Sequence, residues 1–151
     1  MKDWLNVELK YAFVKSIPVM CGYVFLGIAF GISLQEAGYG WIWALAMSLF
    51  IFAGSMQFVM IPMMVSNVPV MTMAVTTLLV NCRHIFYGIS FVEPFRKMKQ
   101  KLYMIFSLTD ETYSVFCSLP GEESDGVMLR VALYDQLYWV TGSVAGALLA
   151  Q

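Results

Sequence analysis

Charge is what this chain has least of. Asp, Glu, Lys and Arg make up 13% of its 151 residues and the formal net charge is −1, so it offers no basic surface of the kind that holds nucleic acid. The three cysteines, Cys21, Cys82 and Cys117, are odd in number, lack ligand spacing and sit among apolar residues. That pattern excludes a disulfide framework and a zinc site, and predicts buried thiols acting as small hydrophobes. No HExxH, Walker loop, GxSxG or CxxC occurs, so the usual signatures of metal, nucleotide, serine and dithiol chemistry are missing. No metal and no cofactor is expected. An intramembrane enzyme built on Asp110 or Glu111 with His84 would lack any recognised catalytic spacing, and the chain is read as a non-enzyme. Nor is there the alternating pattern of a transmembrane barrel.

What the chain does have is apolar length. Hydrophobic residues make up 60% and the mean hydropathy is +0.71. Apolar runs joined by short polar connections predict an all-α, polytopic transmembrane bundle forming a single membrane domain over 1–151, with room for about four or five spans at ~20 residues each. The stretch 1–15, MKDWLNVELKYAFVK, mixes charge signs and has no cleavage site after the next apolar run. It reads as an amphipathic lead-in at the membrane surface, with Lys2, Lys10 and Lys15 near the headgroups. Ser16-Ile17-Pro18 predicts a helix start and 17–34 a first span. A last span, 127–150, ends without a polar tail, as though the chain were cut short at Gln151. Both spans carry a GxxxG, Gly27/Gly31 and Gly142/Gly146. Each is predicted to lie against another helix, and the shared pattern hints that the last helix opens a second repeat.

Between these spans, charge placement forces an irregularity. The cluster Arg96-Lys97-Met98-Lys99-Gln100-Lys101 is the densest in positive charge and is expected on the cytoplasmic side. With a cytoplasmic N-terminus, three full crossings would leave it outside. One apolar segment is therefore expected to be re-entrant: 41–65, turning at Ala53-Gly54-Ser55, or else 70–92, broken at Asn81-Cys82-Arg83. The segment 102–119 is short and polar in its middle. It predicts another broken helix, with Ser107 or Thr109 capping its second half, and then an acidic loop, 120–126, on the outside.

The polar residues inside these runs carry the chemistry. Arg83 stands with Asn81 and His84 in an apolar segment, where an Arg costs about 2.5–3.5 kcal/mol, so it must face protein, water or a counter-charge. It could anchor a substrate carboxylate through its two-point fork beside a half-helix amino end. Equally, it could pair with a carboxylate and lock two helices. Ser107, Asp110, Glu111 and Ser114 have the spacing of one helical face. Asp110 or Glu111 could take up and release protons, or could stabilise a helix start as a partner of Arg83. His84 could join such a relay or be a hydrogen-bonded structural residue. Ser55 and Gln57 could bind a ligand from the break in 41–65, or satisfy backbone groups freed there. The methionines at 56, 60, 63, 64, 71 and 73 read as lipid-facing or packing filler.

Three of these stretches, FAGSMQF (52–58), VNCRHIFYGISF (80–91) and SLTDETYSV (107–115), in this order and spacing, resemble the AzlC family, the large subunit of bacterial branched-chain amino-acid exporters. The similarity runs from about residue 16 to 151. It implies a multi-pass protein of the bacterial inner membrane that exports leucine, valine and isoleucine, with methionine a further candidate, and that works with a small AzlD-like membrane subunit. It also implies a longer chain with further spans. On the residues themselves, Ser55, Gln57, Asn81, Arg83 and His84 are the candidate substrate contacts and Asp110 and Glu111 the candidate proton carriers, with no metal site. Two other readings stay open: a channel-like subunit, or an assembly subunit of a membrane complex without coupled transport.

Overall fold

The computed structural model of the protein describes residues 2–120 and 124–151. These fold into eight helices with no strand among them: α1 (Lys2–Glu36), α2 (Trp41–Phe50), α3 (Gly54–Val65), α4 (Val70–Asn81), α5 (Arg83–Lys97), α6 (Lys101–Phe106), α7 (Asp110–Ser118) and α8 (Asp125–Leu149). The expected all-α membrane bundle with broken helices is what forms. Residues 121–123 of the expected acidic loop, and the Lys2 side chain, lie outside the described residues.

The frame is the pair α1 and α8. α1 has 35 residues, which at 1.5 Å per residue is about 52 Å, well beyond the ~30 Å hydrocarbon core. Its stretch Asn6–Glu36 is the one unbroken helix among the described residues that is both long and apolar enough to cross a membrane. The two GxxxG strips meet each other. A β-carbon on Gly27 would lie 3.0 Å from the Ser143 amide nitrogen, and one on Gly146 would lie 2.1 Å from the Ile28 carbonyl oxygen. Only hydrogen at Cα lets the backbones approach this far, which maximises contact where no hydrophobic force drives association. At the other end of the pair, Glu8 accepts a 2.7 Å hydrogen bond from Ser124 and forms an ion pair with Arg130.

The expected helix start at Ser16 is not present, because α1 runs through Ser16 and Pro18 without interruption. The missing Pro18 N–H falls where packing on α8 holds the helix together. Ala12, Ser16 and Val19 are all buried, and the Ser16 hydroxyl donates to the Phe13 carbonyl at 3.0 Å and meets Tyr138 Oη at 3.1 Å. The cysteines also depart from expectation, since all three are exposed on the outside of the bundle. Their apolar context faces outward, toward the side that lipid would occupy.

The remaining segments are broken. α2 ends at Phe50, and the chain turns through Phe52, whose φ is +42°. The Ile51 and Phe52 amides both return to the Met47 carbonyl, at 2.9 and 3.2 Å, which satisfies the helix end. α3 then starts at Gly54. α4 and α5 are separated by Cys82 alone and bend by 51°; taken together they are long and apolar enough to span. Both breaks weighed from the sequence are therefore present. α6 and α7 are split at 107–109, where Thr109 caps α7 by accepting from the Thr112 amide at 3.3 Å. Of the two expected caps it is Thr109 that serves. Ser107 lies before the helix start, so it does not continue the expected face of Asp110, Glu111 and Ser114.

Candidate functional site

The three breaks converge. Ala53, Gly54 and Ser55 from the first, Arg83 and His84 from the second, and Thr109, Asp110 and Glu111 from the third line one cavity of about 230 Å³, closed by Tyr23 and Leu26 of α1, Phe58 of α3 and Trp139 of α8. Each break delivers the first residues of a helix, because α3, α5 and α7 begin at Gly54, Arg83 and Asp110. Helix amino ends carry partial positive charge and unpaired N–H groups, which favour an anion nearby. A larger groove of about 480 Å³ between α5 and α6 shares only His84 with this cavity and is walled by side chains such as Ile85, Ile89 and Val92.

Arg83 organises the polar side. Its Nη1 lies 2.5 Å from Asp110 Oδ2, and its Nη2 donates to Ser55 Oγ at 2.8 Å. One guanidinium thus ties α5 to α7 and α3, so that all three breaks are cross-linked through it. About a third of each side chain in the ion pair stays accessible, 38% for Arg83 and 32% for Asp110. The pair is therefore open to the cavity and not sealed in a core. Glu111, the next residue, is exposed and accepts from Tyr23 Oη at 2.7 Å. The His84 ring sits 3.1 Å from the Asn81 carbonyl through Nδ1 and lies edge-on to Tyr87.

The apolar side is built on Trp139. Its ring stacks on Phe30 at 6.0 Å and meets Tyr23 edge-on at 5.4 Å, and its indole N–H donates to Gln57 Oε1 at 2.9 Å. A β-carbon on Gly54 would lie 3.0 Å from the indole ring, so glycine is what lets α3 begin directly above it. The cavity therefore offers ionic groups at the helix ends and an aromatic and aliphatic wall opposite.

Among the residues singled out from the sequence, Ser55, Arg83, His84, Asp110 and Glu111 come together here, and Gln57 and Asn81 do not. Gln57 is fully buried behind the wall and spends its carbonyl on Trp139. Two helical steps of about 100° each carry it to nearly the opposite face from the one that bears Ser55. Asn81 is half-buried at the end of α4 and does not line the cavity. The sequence reading missed Tyr23, Trp139 and Asp135. Asp135 is fully buried on α8 and accepts from Thr112 Oγ1 at 2.9 Å. The signal was available, since an acid inside the last apolar run is as costly as the Arg83 that was noticed.

Fold and site together define a class: an all-α membrane protein whose discontinuous helices bring charged residues to a shared cavity. Within that class, the chain belongs to the AzlC family, with residues 18–151 matching the family described as AzlC protein. It is 40% identical over 143 residues to the branched-chain amino acid transport protein AzlC of Bacillus subtilis, covering 92% of this chain and 56% of that one. It is 36% identical over 152 residues to an uncharacterized membrane protein of Helicobacter pylori strain J99, covering 98% of this chain and 66% of that one. To the inner membrane protein YgaZ of Escherichia coli K12 it is 28% identical over 140 residues, covering 87% and 57%. The chain thus spans between 56% and 66% of the length of these relatives. No solved structure matches it.

Proposed function

We propose that this chain belongs to a multi-pass transporter of the bacterial inner membrane that exports branched-chain amino acids, working with a small AzlD-like membrane subunit and coupled to the proton gradient. The observation that carries the reading is the Arg83–Asp110 pair at the meeting point of three helix amino ends, facing an aromatic wall. A zwitterionic substrate needs a cationic anchor for its carboxylate, an acceptor for its ammonium group and an apolar surface for its side chain. Arg83, Asp110 and the Leu26, Phe58 and Trp139 wall supply these in one space of about 230 Å³. That is below the ~300–1,000 Å³ of sites for drug-sized ligands, and so suits a single small amino acid. The printed function of the Bacillus subtilis relative, branched-chain amino acid transport, supports the substrate class.

In this mechanism the substrate carboxylate competes with Asp110 for the Arg83 guanidinium. Binding opens the ion pair, and the freed acid sits beside the ammonium group. Glu111, exposed at the same rim and bonded to Tyr23, takes up or releases the proton that sets the direction of movement. The test is counterflow of labelled leucine in proteoliposomes holding the intact protein. Saturable exchange in the wild type and its loss in Arg83→Ala at matched reconstitution are expected. Normal leucine exchange in Arg83→Ala would leave that residue a scaffold and end this reading.

A further inference from the structure

A chain of hydroxyls leads from the rim of the cavity into the core of the bundle. Glu111 Oε2 accepts from Tyr23 Oη at 2.7 Å, Tyr23 Oη lies 2.6 Å from Thr109 Oγ1, Thr109 Oγ1 lies 3.1 Å from Thr112 Oγ1, and Thr112 Oγ1 donates to Asp135 Oδ2 at 2.9 Å. The two ends differ sharply in environment. Glu111 is exposed, whereas Asp135 is fully buried and its Oδ1 has no hydrogen-bond partner among the described residues. None of the ion pairs among those residues includes Asp135.

Counting protons along the chain gives its occupancy. There are four links and three hydroxyl protons, one each from Tyr23, Thr109 and Thr112. With both carboxylates ionised, Tyr23 donates to Glu111 and Thr112 donates to Asp135. Thr109 can then donate to only one of its neighbours, Tyr23 or Thr112, and the other link is left with two oxygens and no proton between them. Adding one proton at either end fills all four links in a single direction. We propose that Glu111 and Asp135 share one proton through Tyr23, Thr109 and Thr112, so that Asp135 is a buried proton site reached from the cavity by way of Glu111.

The transfer is a relay in which no hydroxyl gains or loses a proton overall. A proton leaves the Glu111 carboxyl for Tyr23 Oη, the Tyr23 proton moves to Thr109 Oγ1, the Thr109 proton to Thr112 Oγ1, and the Thr112 proton to Asp135 Oδ2. Glu111 is left as carboxylate and Asp135 as neutral acid, and hydroxyl rotation resets the chain. Among the described residues, no cation is paired with Asp135 or acts on it. Tyr23 of α1, Glu111 of α7, Tyr103 of α6 and Tyr138 of its own helix are the titratable groups that act on it or feel it, and α2 and α3 carry none. Glu111, by contrast, shares its rim with Arg83, His84 and Asp110, and shares an adjoining groove with Lys15. The rim thus places Glu111 among groups of both charge signs while Asp135 lies away from any ion pair, so a charged substrate arriving at the rim acts on one end of the chain far more than on the other.

This inference rests on the proton-coupled reading above, and it is tested by a measurement that needs no transport. Infrared spectra of the intact membrane protein at neutral pH should contain a protonated-carboxyl C=O band that is absent in Asp135→Asn and displaced in Thr112→Val, where the donor to Asp135 is lost. In Tyr23→Phe the band should persist, but its shift on transfer to heavy water should slow, because the relay is cut. An unchanged band in Asp135→Asn, or an unchanged exchange rate in Tyr23→Phe, overturns the shared proton even where leucine transport is normal. Transport adds a second arm: gradient-driven leucine accumulation should be lost in Asp135→Asn, and its retention overturns the proposal. If the wild type exchanges no leucine while the infrared pattern holds, the substrate reading fails and the proton site stands.

Discussion

The backbone of Gly31 passes so close to that of Gly146 that a β-carbon on Gly31 would lie 3.0 Å from the Gly146 carbonyl carbon and 2.0 Å from the Ser143 oxygen. Two backbones in contact leave nothing flexible to give way. Gly31→Ala should therefore force α1 and α8 apart and destabilise the bundle by about 1–3 kcal/mol. Gly22→Ala is the control, since a β-carbon there meets nothing within 4 Å, and it should be neutral or mildly stabilising. Thermal unfolding of the two variants in detergent makes the comparison; equal stability would mean that the helices do not pack through these strips.

The Arg83–Asp110 pair separates an anchor from a mere counter-charge. Arg83→Lys should recover little leucine exchange, because an ammonium lacks the planar fork that reaches Asp110 and Ser55 together. The double variant Arg83→Gln, Asp110→Asn removes both charges at once. It should assemble like the wild type and still fail to exchange leucine. Recovery of exchange in the double variant would assign Arg83 to charge balance alone.

Gln57 should behave as support for the cavity wall. Gln57→Leu leaves the buried Trp139 indole N–H without an acceptor, at a cost of about 1–3 kcal/mol. Gln57→Glu retains an acceptor. Unfolding midpoints should fall in the leucine variant, while the leucine concentration at half-maximal exchange shifts little. A large change in that concentration at unchanged stability would return Gln57 to the substrate.

Phe52 holds a left-handed backbone, with φ +42°, which costs a residue with a β-carbon about 1–2 kcal/mol. Its buried ring packs on Tyr23 and Phe106. Removing the ring should destabilise the turn in either truncation, but Phe52→Gly should be more stable than Phe52→Ala by about 1 kcal/mol, because glycine adopts this conformation freely. Chemical unfolding of the two variants checks the order, and the reverse order would mean that the α2–α3 turn adopts another backbone.

The sequence by itself determined the class of fold, the glycine strips and most of the polar residues at the site. Apolar length, an Arg83 set within an apolar run and candidate break points at 53–55, 81–83 and 107–109 are properties of the one-dimensional chain, because burial cost and backbone propensity act residue by residue. It did not determine which breaks are real, since a charge-parity argument is satisfied by either of two, and the structure has both. Nor did it fix which side of a break a residue faces. Ser55 and Gln57 look equivalent on paper, yet α3 turns one to Arg83 and the other to Trp139. The hydroxyl chain from Glu111 to Asp135 lay furthest from view, because its members come from α1, α7 and α8 and the cap before α7. Sequence separations of 86 and 23 between bonded partners carry no periodic signal. Only the packing of α1 against α8, with α7 laid against both, sets those oxygens within hydrogen-bonding distance.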